Sequence, residues 1–221
     1  MFAEIAEFVR QGGPFMYINI VVSISTIAVV SERTYRLYFE YNIHGRGFLE
    51  QAEKLILANN IDRAIKLCNS VPRAILPRVV KAGLLAAHKG RAAVSAALEE
   101  ALLEYTPLLQ KRIQTMWSLA NIGTLIGLIG TIVGLIRAFK AVSLATPEQK
   151  TTLLTEGISE AMNNTAFGLS IAVTNIIAHL FLSGQSRGMT EDMDLAAVRM
   201  ENLLSSRRFT VSGEEGQAAS R

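Results

Sequence analysis

The stretch 156–182, EGISEAMNNTAFGLSIAVTNIIAHLFL, sets an acid, amides, hydroxyls and an imidazole into an otherwise apolar run. At about 100° per residue, Glu160, Asn164, Gly168, Asn175 and His179 fall within about 100° of one another on a helix, with Thr165 on their flank. Polar groups in an apolar helix are costly and normally face protein or water. An ionised acid such as Glu160 costs on the order of 2.5–3.5 kcal/mol near the centre of a membrane helix and less towards its ends. Such a face has two readings. Either Glu160 is a functional acid within the polar face, or Asn164 and Asn175 simply hydrogen-bond a neighbouring helix with no ion involved. His179 reads as an inner-interface residue rather than a relay member.

A second set lies upstream. Gly123, Gly127, Gly130 and Gly134 are spaced four, three and four apart, within about 60° on a helix. Such a stripe lets another backbone approach closely. Thr124 and Thr131 stand about 80–100° round from it, where they can bond their own helix carbonyls or line a path. The string GLIGTIVG lacks the Lys-Ser/Thr ending of a phosphate loop and lies in a charge-free run, which excludes nucleotide binding.

These residues need helices to hold them. Three windows carry no charge: Gln11–Ser31, Ile113–Ile136 and Ala161–Ser186. Each exceeds the ~20 residues needed to cross a bilayer, and only 19% of the chain is charged against about 25% in soluble domains. The expected fold is therefore all-α, with three transmembrane helices extended into a cytoplasmic helical layer. Residues 1–31 form the N-terminal segment and first span, 32–112 a cytoplasmic helical region, 113–186 the second and third spans as a channel unit, and 187–221 a helix extension with a disordered tail. In the cytoplasmic region, FLEQAEKLILANN is amphipathic, with Phe48, Ala52, Leu55 and Ile56 on one face. Val71-Pro72 and Lys89-Gly90 break the next helices, and Pro107 predicts a kink on the way into the second span. Thr146-Pro147-Glu148-Gln149 marks the start of the third helix.

Lysine and arginine orient the spans. Placing 32–112 and the tail inside puts 18 basic residues in the cytoplasm and 4 outside, so the N-terminus is expected in the periplasm and the C-terminus in the cytoplasm. The N-terminal residues carry two acids and a single Arg10 before an apolar core, unlike a cleaved signal, so the first span is read as a retained anchor. One cysteine, Cys68, excludes an internal disulfide framework. His44, His88 and His179 lack metal-ligand spacing, so no metal and no cofactor are expected. Scattered basic residues with few aromatics argue against nucleic acid.

On IGLIGTIVGLIRAF and GISEAMNNTAFGLSIAV the chain resembles the MotA/TolQ/ExbB proton-channel family, over roughly residues 98–185 by motif. Three spans with a long cytoplasmic segment after the first are similar to its TolQ/ExbB branch. The resemblance implies a stator subunit of an inner-membrane motor, a pentamer around a TolR/ExbD/MotB-like single-span partner carrying a transmembrane aspartate. It places Thr131, Thr165 and Glu160 on the proton pathway and gives Gly123, Gly127, Gly130, Gly134 and Gly168 to helix packing. Three family prolines are absent, at Thr124, Glu156 and near Thr174, which suggests a specialised relative; gliding motility, envelope maintenance and TonB-type import are the outputs considered. The competing reading is a non-conducting membrane scaffold assembled through glycine and asparagine stripes. An enzyme fares worst, because no nucleophile–base pair, metal cluster or nucleotide loop is present.

Overall fold

Every regular element among the described residues is a helix. The structure, a computed structural model, describes Val9, residues 12–41, Ile43 and residues 45–218, the side chains of 205–218 excepted. Arg10, His44 and the last three residues lie outside that set. In chain order the helices are α1 (Gly13–Tyr35), a π-helical turn (Arg36–Glu40), α2 (Gly45–Leu57), α3 (Ile61–Ser70), α4 (Ile75–Ala86), a 3₁₀ turn (Ala87–Lys89), α5 (Arg91–Gln110), α6 (Ile113–Leu144) and α7 (Pro147–Ala218). Stretches within Gly13–Leu57, Arg91–Leu144 and Pro147–Leu204 are long and apolar enough to cross a membrane. The backbone of α7 is helical as far as Ala218, through much of the segment 211–221 that the sequence reads as a disordered tail.

The chain divides into two units, Met1–Arg33 with Arg112–Leu182, and Thr34–Lys111 with Ser183–Arg221. The second unit is a layer of amphipathic helices. On α2, Phe48, Leu49, Ala52 and Ile56 are buried, so Leu49 joins the expected face while Leu55 is only half-buried. The helix closes at Asn59 in the left-handed region (φ 60°), with the Asn60 N–H donating to the Leu55 carbonyl at 2.9 Å. Asparagine stands there in the place usually taken by glycine. Between α4 and α5 the packing is tight enough that a Cβ on Gly83 would lie 2.8 Å from Leu98 Cδ2. At the surface Arg199 pairs with Glu53 at 3.1 Å and Arg91 with Glu201 at 3.7 Å. Pairs this exposed are worth about 0–1 kcal/mol each, so the apolar layer carries the stability of this unit.

The approach to the second span differs from the sequence reading. α5 carries through Pro107 to Gln110, and the helical run is broken at Lys111-Arg112, where Arg112 is left-handed (φ 61°). Arg112 forms an ion pair with Glu32 at the end of α1. α7 begins as expected: Gln149 and Lys150 donate their N–H groups to the Thr146 carbonyl at 3.0 and 3.2 Å.

Candidate functional site

In the first unit, α6 turns its four glycines onto α7. Gly123, Gly127, Gly130 and Gly134 are all buried. A Cβ on Gly127 would lie 3.3 Å from the Asn164 carbonyl and 3.4 Å from the Cα atoms of Thr165 and Gly168. The fit is tighter from the other side. A Cβ on Gly168 would come within 2.6 Å of the Gly123 carbonyl and 3.1 Å of Gly127 Cα. The crossing extends to Gly134, which packs on Ala161, and to Gly157, which packs on Ala138.

Close approach of the backbones brings two hydroxyls together. Thr131 on α6 and Thr165 on α7 are each half-buried at the edge of this crossing, and their Oγ1 atoms are in direct contact. The Gly127 carbonyl lies within donor range of both, 3.1 Å from Thr131 Oγ1 and 3.0 Å from Thr165 Oγ1. Three contacts share two hydroxyl protons, since a hydroxyl donates once and accepts twice. One proton must therefore choose between the carbonyl and the other hydroxyl. Such a pair can accept a hydrogen bond from a neutral carboxylic acid and, after rotating, donate one to a carboxylate. Thr124, on the same flank, is bonded only to its own helix, donating to the Ala120 carbonyl at 3.1 Å.

The asparagines lie elsewhere on α7. Asn164 and Asn175 are 1% and 0% exposed, and both turn towards α1. Asn19 Nδ2 donates to Asn164 Oδ1 at 3.2 Å, and Asn175 Nδ2 donates to Thr26 Oγ1 at 3.4 Å. Asn164 Nδ2 occupies the space that a Cβ on Gly130 would take, with Phe15 Cβ at 3.1 Å from the same point. The face read from the sequence as a polar stripe is thus the packed face of α7, joined by hydrogen bonds to the first span.

Glu160 is half-buried. Its carboxylate lies against Gly13, the first residue of α1, where a side chain would collide with Glu160 Oε1. Gly13 is also left-handed (φ 66°), so both the space and the backbone there require glycine. The unpaired N–H groups at the start of a helix favour a nearby negative charge, which gives this acid a defined place at the first span. His179 packs its ring 5.9 Å from that of Trp117, an interface contact within the unit.

The structure therefore brings Thr131 to Thr165, Asn164 to Gly130, and Glu160 to Gly13. Sequence reasoning passed over Gly13, Asn19 and Thr26. A signal was present: Asn19, Thr26 and Arg33 repeat at seven-residue spacing, one face of a helix, and all three are buried. Outward, Val21, Ile24 and Ile27 on α1, Leu125, Leu128 and Ile132 on α6, and Val173 and Leu180 on α7 are exposed, apolar surface suited to lipid or to further protein. Among the described residues no group of three or more His, Cys, Asp or Glu side chains is placed to hold a metal ion.

The chain is 27% identical over 186 residues to the biopolymer transport protein exbB1 of Vibrio cholerae, covering 81% of this chain and 79% of that protein. It is 40% identical over 90 residues to a protein of Synechocystis sp. named as biopolymer transport protein ExbB-like 3, covering 39% of this chain and 42% of that one. Residues 69–195, more than half of the chain, match the MotA/TolQ/ExbB proton channel family. That stretch contains the glycine crossing, both threonines and Glu160, and the family is one of channels rather than catalysts. The chain belongs to the MotA/TolQ/ExbB proton channel family.

Proposed function

We propose that this chain is the channel subunit of an inner-membrane motor that converts proton-motive force into mechanical work. The observation that carries the reading is the Thr131–Thr165 hydroxyl pair beside the Gly127 carbonyl, at the edge of the glycine crossing between the second and third spans. Hydroxyls hydrogen-bond a carboxyl group in either protonation state but do not themselves titrate at accessible pH. The charge-free windows hold no Asp or Lys, and Glu160 stands at the edge of the third against Gly13 rather than at the threonine pair. On this reading the group that takes up and releases the proton beside the threonines therefore comes from another chain. A TolR/ExbD/MotB-like single-span protein with an aspartate in its span has the required chemistry, and self-association of this chain, as a pentamer, would ring it with threonine pairs. Each proton crossing 100 mV supplies about 2.3 kcal/mol for the work. Glu160 flanks the path near the first span. The basic-residue count orients the assembly with the N-terminus periplasmic, and puts 32–112 and 187–221 in the cytoplasm, with 113–186 as the channel unit.

The test is proton uptake by vesicles holding the complex with its co-expressed partner. Thr131→Val and Thr165→Val, which keep side-chain shape and remove the hydroxyl, are expected to lower uptake at least tenfold while the complex still assembles. Full uptake in both variants would mean that the path lies elsewhere. A packing scaffold predicts a different pattern: no proton uptake in the unaltered complex, with glycine substitutions far more damaging than threonine ones.

A further inference from the structure

The first span is usually regarded as an anchor, but here its one buried polar face is joined to the channel helix beside each threonine. Asn19 is fully buried and bonded to Asn164. Asn164 immediately precedes Thr165, and Gly130, onto which the Asn164 amide packs, immediately precedes Thr131. A rotation of α7 that moved Thr165 would thus have to break the Asn19–Asn164 bond or drive the amide into Gly130. The second rung, Thr26 to Asn175, lies eleven residues further along α7, about 16 Å from the first by helical rise. It holds the same two helices without touching the threonines.

The amides are also incompletely satisfied. Asn19 Oδ1 and Asn164 Nδ2 are buried without a hydrogen-bond partner among the described residues, as is Asn175 Oδ1 in the second rung, so it is the place beside the threonines that sets the first rung apart. Leucines at both positions of the first rung would fill the space without that cost. For packing alone, the amides are therefore a poor choice: leaving a buried polar group unsatisfied costs more than an interhelical hydrogen bond in a membrane returns on average. What an amide pair provides and leucine does not is a fixed angular setting of one helix on another.

We infer that Asn19 and Asn164 are positioning residues for the proton path: the first span, through this amide pair, sets the rotation of α7 and so holds Thr165 against Thr131. The inference rests on the proposed channel function. It assigns the first span a part in conduction as well as in anchoring, and it divides the two rungs by role, one setting the site and the other only joining helices.

The experiment compares proton uptake per assembled complex with the thermal stability of the same detergent-extracted complex. Asn19→Leu is expected to lower uptake about three- to tenfold, the range that one interhelical hydrogen bond corresponds to. In Asn19→Leu with Asn164→Leu both amides of this rung are gone and neither leaves the other buried without a partner, so stability is expected to return to that of the unaltered complex while uptake stays low. Thr26→Val with Asn175→Leu is the control, expected to leave uptake per complex unchanged. The inference is overturned if the double leucine variant regains full uptake, if Asn19→Leu conducts normally, if both rungs affect uptake alike, or if neither Asn19 variant assembles. Thr165→Val in parallel separates the two levels. Uptake lost with Thr165→Val but intact in the Asn19 variants defeats only the positioning role, whereas no uptake in the unaltered complex defeats the channel reading and this inference with it.

Discussion

At the scale of residues, single methyl groups decide how near the second and third spans can come. A Cβ on Gly168 meets backbone atoms on α6, the Gly123 carbonyl at 2.6 Å and Gly127 Cα at 3.1 Å, and backbone cannot swing aside as a side chain does. Gly168→Ala is therefore expected to destabilise the complex by about 1–3 kcal/mol, as overpacking does, and to part Thr131 from Thr165. Gly184, with nothing within 4 Å of its own would-be Cβ, provides the contrast. Gly184→Ala should be neutral or raise the melting temperature, because alanine is the better helix former by about 1 kcal/mol. Equal shifts for the two variants in thermal melting would show that Gly168 does not serve a close crossing. This scale was the most legible in the sequence, since four- and three-residue spacing alone puts the glycines on one face. Asn19 was not legible as a partner of Asn164, because a hydrogen bond between residues 145 positions apart leaves no local pattern.

At the scale of elements, the short helices between Gly45 and Gln110 followed from hydrophobic periodicity and their breaks from Val71-Pro72 and Gly90. The entry to the second span did not. Pro107 lies inside α5, and the break comes at Arg112, an ordinary residue held left-handed beside its ion pair with Glu32. Such a choice is made by tertiary contact rather than by local propensity. The α3 helix offers a test of the layer itself. Burial pushes the Cys68 thiol up from 9.0 to about 11, with Lys81 opposing the shift. The fold favours the neutral thiol, so this contribution to stability is fully present below about pH 9 and is lost as pH rises through about 11. The stability difference between the unaltered chain and Cys68→Ala is therefore expected to narrow between pH 9 and pH 11 in thermal melts. A difference that stays constant across that range would mean that the thiol is solvated in the fold.

At the scale of the whole molecule, the three charge-free windows announced the spans, and the second and third carry the family's motifs. The polar residues of the first span carry none, and its bonds to the channel helix emerged only with the fold. On the proposed reading this chain provides hydroxyls, a shared carbonyl and a tightly packed frame, and a partner protein brings the acid that takes up and releases the proton within the membrane. Native mass spectrometry of the complex, extracted with its co-expressed neighbours, tests that claim most directly. The account predicts five copies of this chain around two copies of a single-span protein bearing a transmembrane aspartate. A homo-oligomer free of any such protein, despite its co-expression, would contradict it.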